Sequence, residues 1–403
     1  MRCPQSREPA SLMEFELVIK RIWSGHRALV IGVGAIAIVA ILASSLILVA
    51  ATGGLSSAGR TPSGAAAESA SASPSDSPTP FFSPTPTINT GPTPLPAGMA
   101  YSDLDGVAAT TALAHRLPLA IMIDDQKVAR PQSGISQASI VYMAPADGDV
   151  DRYMMVFQEQ TVKEIGPVRS ARPYYVLWAA EYQALYGHFG GDWKSRHVTI
   201  PAMAKNIYNM DGTSSGGCPY YRVATRPKPH NAYTSTTKMI GCAAAKKYPA
   251  TYQNMPTRPF TGDTATALLP KAQTISIVYP TITIGYKFNP ATDSYLRLTW
   301  GGPEIDPGNG KQVIARSIIV MYQKLTVDYS EPNHARPVVA NVGSGKAIVF
   351  QEGKQIAATW KKTSNTALTR FYDSTGQEIS LVRGEVFIQS IPPNSPKYTV
   401  TVK

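Results

Sequence analysis

Residues 119–125 read Leu-Ala-Ile-Met-Ile-Asp124-Asp125, residues 138–144 read Ala-Ser-Ile-Val-Tyr-Met-Ala, and residues 151–158 read Asp-Arg152-Tyr-Met-Met-Val-Phe-Gln. Each is a short apolar run stopped by charge or turn residues, which is the pattern of a buried strand. Asp147-Gly-Asp149 lies between the last two runs and predicts a tight turn joining an antiparallel pair.

Working outward, a helix is predicted over 174–184, where Val176, Leu177, Ala180 and Ala184 share a face. Leu185-Tyr-Gly-His188-Phe reads as a further strand, residues 198–209 as a short helix and residues 211–235 as a loop. From residue 286 the pattern changes to alternation and hairpins. Strands are predicted at 317–322, 347–350, 355–360 and 386–391, with turns at Asp306-Pro-Gly-Asn-Gly310, Glu352-Gly353 and Ser374-Thr-Gly376. The expected fold class is α+β: an N-terminal mixed α/β layered domain over 98–285, then a β-rich C-terminal domain over 286–403.

Residues 28–50 carry no charge and are long enough to span a bilayer core as a helix. A cleaved signal peptide would have a shorter apolar core behind a shorter preamble. Lys20, Arg21 and Arg27 precede this stretch, and residues 51–59 carry no charge. The positive-inside rule then makes 1–27 a cytoplasmic segment, 28–52 a single transmembrane helix, and everything beyond it extracytoplasmic. Residues 53–97 are dominated by Ser, Pro, Thr, Ala and Gly, so they are expected to form a disordered tether.

The formal net charge is +11, from 38 Lys and Arg against 27 Asp and Glu. Outside a membrane this favours anionic partners such as a cell-wall polymer or lipid headgroups, and it also serves plain solubility. Nucleic acid is not expected in that compartment. Cys218 and Cys242 lie beyond the helix, where disulfides persist, and form a disulfide candidate. Neither has a second ligand at zinc spacing, so no metal is expected, and no cofactor motif is present.

Several constellations carry chemistry. Arg169 and Arg172 stand three apart on a loop that leads into the predicted helix, and their guanidinium forks suit phosphate or carboxylate. The alternative is structural pairing with Asp124, Asp125 or Asp147. Asp124 and Asp125 end a strand, His188 precedes Gly190-Gly191, and His230-Asn231 sits in a Pro-bracketed loop. Asp147-Gly-Asp-Val-Asp151 lacks the later Gly and Glu of a calcium loop. Gly343-Ser-Gly345-Lys346 ends like a phosphate loop, but Ala340 and Ala347 stand where Gly and Ser or Thr belong, so a turn is predicted.

The motifs Ala129-Arg130-Pro-Gln-Ser-Gly134, Ile165-Gly-Pro-Val-Arg169-Ser-Ala-Arg172-Pro-Tyr174 and Pro229-His230-Asn231 resemble the bacterial YerB-like family, also called the DUF3048 family. Gly343-Ser-Gly-Lys-Ala347, Thr359-Trp-Lys-Lys362 and Phe371-Tyr-Asp373 extend the likeness into the C-terminal half, so that it covers about residues 115–395. The resemblance implies a membrane-attached envelope protein, often a lipoprotein, and brings no catalytic assignment. The family's recurring charged positions match Arg130, Arg152, Arg169, Arg172, His188 and His230. This chain departs from the pattern in three places: a helix replaces the lipid anchor, Met143 replaces an acid, and Asp147-Gly-Asp149 replaces a Glu-Gly-Gly-like turn.

Three functions follow as expectations. The first is an envelope-anchored module that binds an anionic ligand, a wall polymer, lipid-linked precursor or carboxylate, through Arg130, Arg152, Arg169, Arg172, His230 and Asn231. The second is an envelope phosphoester- or glycan-processing enzyme with His188 as base and Asp124 or Asp125 as acid or metal ligand. The third is a structural module that docks an envelope protein on its β-rich C-terminal domain.

Overall fold

A computed structural model describes residues 94–403 apart from 215–217, 253, 265, 271–272 and 332–333. In chain order its layers are built from β1 (Leu119–Asp124), β2 (Ile140–Pro145), β3 (Asp151–Phe157), α1 (Pro173–Ala180), β4 (Leu185–His188), β5 (Tyr208–Asp211) and α2 (Thr236–Ala245). There follow β6 (Thr274–Tyr279), β7 (Ile282–Asn289), β8 (Ser294–Thr299), β9 (Ser317–Tyr322) and β10 (Gly343–Gln351). The last are β11 (Lys354–Lys362), β12 (Arg370–Tyr372), β13 (Val386–Ile391) and β14 (Thr399–Val402).

Among the described residues the largest sheet has ten strands in the order β12-β11-β10-β9-β13-β2-β3-β1-β4-β5. β13 lies parallel to both β9 and β2, so strands far apart in the chain meet at the middle of one sheet. Antiparallel β6, β7, β8 and β14 form the backbone of a second sheet. Every residue of β1, β2 and β3 is buried. The cause is cover on both faces, which is also why these strands read as continuous apolar runs. Ile121, Ile123, Met155 and Phe387 pack toward Ile275, Ile277 and Tyr295 of the second sheet. Met122, Tyr142, Met154 and Ile388 pack toward Tyr175, Val176 and Trp178 of α1.

The architecture is β-rich with few helices, rather than an α/β layer followed by strands. A boundary at 285/286 falls inside β7 (Ile282–Asn289), because the β6–β7 turn carries no Gly or Asn signal. The helix expected at 174–184 stops at Ala180, where Glu181 turns its carboxylate into a buried cluster with Lys362 and Thr369. The helix expected over 198–209 is instead a pair of helical turns, Ser195–Thr199 and Ile200–Ala202, and the residues after them enter β5. Gly343-Ser-Gly345-Lys346 is strand, not turn, since β11 pairs along its whole length. Gly345 is needed there: a Cβ would meet the Trp360 indole nitrogen at 2.6 Å. The hairpin expected around Ser374–Gly376 is reduced to one bridge between Tyr372 and Glu378.

Cys218 and Cys242 are joined by a disulfide that ties the 211–235 loop to α2, with Cα atoms 6.1 Å apart. The expected cytoplasmic segment, the transmembrane helix at 28–52 and most of the tether lie outside the described residues. Among those described, no helix is long and apolar enough to cross a membrane.

Candidate functional site

β1, β4 and β5 run parallel and end at Asp124, His188 and Asp211, while β3 runs against β1 and begins at Asp151-Arg152. One rim of the sheet therefore collects the polar side chains, at the strand ends where sites form in open sheets. The 165–172 loop bridges to β1 at Ile123, and the 226–231 loop closes over it from the other side.

Asp124 is fully buried. Its Oδ2 accepts a 2.7 Å hydrogen bond from His230 Nδ1 and lies 3.2 Å from Arg169 Nε, outside hydrogen-bond alignment. The carboxylate accepts only, so Nδ1 carries the proton. Asp125 is gripped by the Arg130 fork at 2.7 and 2.8 Å and by Gln132 Nε2 at 2.8 Å. Burial pushes the Asp125 carboxyl up, and Arg130 opposes the shift. Arg226 donates to the carbonyls of Ala129 and Pro131, at 2.8 Å for the latter, and so ties the 226–231 loop to the Arg130 loop. Arg226 was not among the expected residues; its place between Thr225 and Pro227 gives no sign of this clamp.

Arg152 is the exception in this network. It stands directly opposite Asp124 in the β1–β3 register, yet His230 and Arg169 occupy that carboxylate. The residue is 4% exposed, its Nη1 donates to the Ser170 carbonyl at 3.0 Å, and its Nε is buried with no partner. No carboxylate among the described residues pairs with it. Burial holds the neighbouring Arg169 guanidinium below its ordinary value; Asp124 opposes this, and the positive charge of Arg152 adds to it. The Tyr186 hydroxyl is also buried without a partner. Asp151 is fully buried with both oxygens unbonded, and burial followed by the charge of Asp125 pushes its carboxyl well up.

The other expected residues lie apart from this cluster. Arg172 pairs with Asp147, which also meets Arg336 at 3.1 Å, and stands 3.7 Å from Asp192. His188 is fully buried, with Nδ1 2.7 Å from the Gly190 carbonyl and Nε2 2.7 Å from Asn209 Oδ1. Neither ring nitrogen is free for a substrate in this arrangement. Asn231 accepts from Arg222 at 2.6 Å and donates to the Val223 carbonyl at 3.1 Å. Among the described residues no group of three or more His, Cys, Asp or Glu is placed to hold a metal.

A separate buried pair gives a test of the electrostatics. Glu159 accepts from Ser139 at 3.0 Å and Ser102 at 3.3 Å, and burial together with the charge of Asp105 pushes its carboxyl up to about 7. The unfolded chain loses this proton near the ordinary 4.5, so between those values the folded state holds more protons. Stability from this group is complete below that value and is lost as pH rises through about 7. Glu159→Gln, which keeps the acceptor and drops the charge, is expected to gain stability relative to the native chain at pH 8 but not at pH 5. Urea denaturation at the two pH values checks this.

Comparison with known proteins adds three results. The family described as "Protein of unknown function (DUF3048) N-terminal domain" matches residues 104–249, and its C-terminal domain matches residues 275–388. The chain is similar to "Putative lipoprotein YerB" of Bacillus subtilis, 27% identical over 298 residues that span 72% of this chain and 85% of that protein. The crystal structure of the YerB protein from Bacillus subtilis shares the fold, with a TM-score of 0.66 at 24% identity over 75% of this chain and 99% of that one.

Proposed function

The chain belongs to the DUF3048 family, and from that premise we propose that it is an envelope-attached protein whose folded body binds an anionic group at the Arg152–Arg169 rim. Envelope attachment is supported by the name of the Bacillus subtilis relative and by the apolar stretch at 28–52. The anion reading is carried by one observation: Arg152 is nearly buried, has a single hydrogen bond, and has lost its cross-strand carboxylate to other partners. A buried charge without a counter-charge is costly. A phosphate or carboxylate oxygen between Arg152 and Arg169 supplies acceptors to both and relieves their repulsion. Wall polymers and lipid-linked precursors carry such groups.

Inorganic phosphate and pyrophosphate are expected to stabilise the full chain saturably against heat. The gain is about 2.7 kcal/mol at a hundredfold excess over Kd. It should shrink with added salt and vanish in Arg169→Ala, a partly exposed position whose loss leaves His230 on Asp124. No stabilisation of the native chain, or undiminished stabilisation in Arg169→Ala, ends this reading.

A further inference from the structure

A cavity lies beside the Arg172 network, and none of the functions expected from the sequence uses it. It has a volume of about 250 Å³ and is bounded by Asp192, Trp193, Lys194, Asp328, Glu331 and Arg336. Its apolar floor is made by Pro173, Pro337 and Val338. Trp193 is 58% exposed, unusual for the largest apolar side chain. Its ring is backed by His197, with centroids 5.4 Å apart, so one face is supported. Asp192 is fixed by Ser195, whose backbone N–H and hydroxyl donate to it at 2.8 and 2.9 Å.

The charges at the cavity edge cancel in place. Lys194 meets Asp328 at 2.8 Å, Arg336 meets Glu331 at 2.9 Å, and Arg172 stands 3.7 Å behind Asp192. Asp147 also holds Arg172 and Arg336, so each cation at the edge is already taken by a carboxylate and none is left for an anionic ligand. What remains is an aromatic face, an apolar floor, and fixed hydrogen-bond donors and acceptors at the edge. Pockets combine apolar lining with a few placed polar groups in this way when they take a small ligand. The matching ligand has one apolar face and a rim of neutral hydroxyls. We propose that this cavity is a saccharide subsite, in which an uncharged sugar ring stacks its C–H face on Trp193 and shares its hydroxyls with the Lys194–Asp328 and Arg336–Glu331 pairs. The volume lies below the ~300 Å³ at which drug-sized pockets begin, so it seats one ring and leaves the rest of a glycan chain outside.

The test titrates the full chain with two uncharged probes, tetra-N-acetylchitotetraose and maltotetraose, followed by tryptophan fluorescence and saturation-transfer NMR. At least one should bind saturably. Trp193→Ala should weaken that binding about tenfold or more, as truncation of a dominant aromatic anchor does. Trp193→Phe, which keeps a ring face, should retain it to within about threefold. The melting temperature should not move in either variant, since the side chain is exposed. Stabilisation by inorganic phosphate should also survive in Trp193→Ala, which separates this subsite from the arginine rim. No saturable binding of either probe up to ~10 mM, which is less than about 3 kcal/mol of binding free energy, overturns the proposal. So does binding that Trp193→Ala leaves intact.

Discussion

Glu181→Ala is expected to lower the stability of the folded body by about 3–5 kcal/mol, the range for breaking a buried ion pair by removing one partner. Glu181 lies just past α1 and is 1% exposed. Its carboxylate accepts from Lys362 Nζ at 2.8 Å, the Thr369 N–H at 3.0 Å and the Thr369 hydroxyl at 2.6 Å, with Arg258 Nη2 at 3.6 Å. Lys362 is itself fully buried, and burial pushes its ammonium down while Glu181 opposes the shift. Removal of the carboxylate leaves an ammonium and a guanidinium in the interior without a counter-charge. The remaining contacts are carbonyls and a hydroxyl: Ala367 for Lys362, and Thr369 and Tyr182 for Arg258. The cluster also joins the two family-matched segments, since Glu181 belongs to the first while Lys362 and Thr369 belong to the second. Calorimetry should show a fall in Tm of roughly 10 °C, at a few degrees per kcal/mol for a body of this size. A loss below about 1 kcal/mol, the range of exposed pairs, would mean that water reaches the cluster.

What the sequence discloses depends on whether the cause is local. β1, β2 and β3 are legible because burial on both faces leaves no polar alternation, only apolar runs with charged ends. The β10–β11 hairpin is legible because Glu352 and Gly353 both take positive φ, and Glu-Gly announces such a turn. β5 is not legible. Its four residues, Tyr-Asn-Met-Asp, have no strand pattern, and it is the register with β4 at the sheet edge that makes them a strand. The insertion of β13 between β2 and β9 is a contact across most of the chain, which no local pattern reports. The site divides in the same way. The motifs that hold Arg169 and His230 can be quoted from the sequence, and their convergence on Asp124 gives both a place. That Arg152 lacks a carboxylate partner follows only from competition for the one on Asp124. Charged residues inside strand-like segments are ordinarily placed on the surface. Lys362 and Arg297 are both fully buried, because partners distant in sequence meet them there.

Arg297 supports the second large prediction. From β8 it reaches between the two sheets and is 0% exposed. Nη1 donates to Glu304, Nη2 to the Tyr153 hydroxyl on β3 at 2.9 Å, and Nε to the Tyr286 hydroxyl on β7 at 3.3 Å. The guanidinium also lies 5.2 Å from the Phe387 ring on β13. Gln389 extends the network by donating to Tyr286 at 2.9 Å and accepting from Tyr279 at 2.8 Å. Arg297→Met keeps the length of the chain but strands Glu304, so a loss of about 3–5 kcal/mol at pH 7 is expected. Burial already pushes the Glu304 carboxyl up, with Arg297 opposing, so the variant's carboxyl must move further up. The folded variant then binds a proton that the unfolded chain releases above about 4.5. Its deficit against the native chain is therefore largest at neutral pH, shrinks as pH falls through the variant's raised value, and changes no further below about 4.5. Arg297→Met combined with Glu304→Leu removes both charges and fills the space. It is expected to recover to within about 1 kcal/mol of the native chain, because a buried ion pair gains little over well-packed apolar groups. Urea denaturation of both single variants and the double variant measures the coupling. A double variant as unstable as the sum of the two singles would show that Tyr153 and Tyr286, rather than Glu304, are what Arg297 is there to hold.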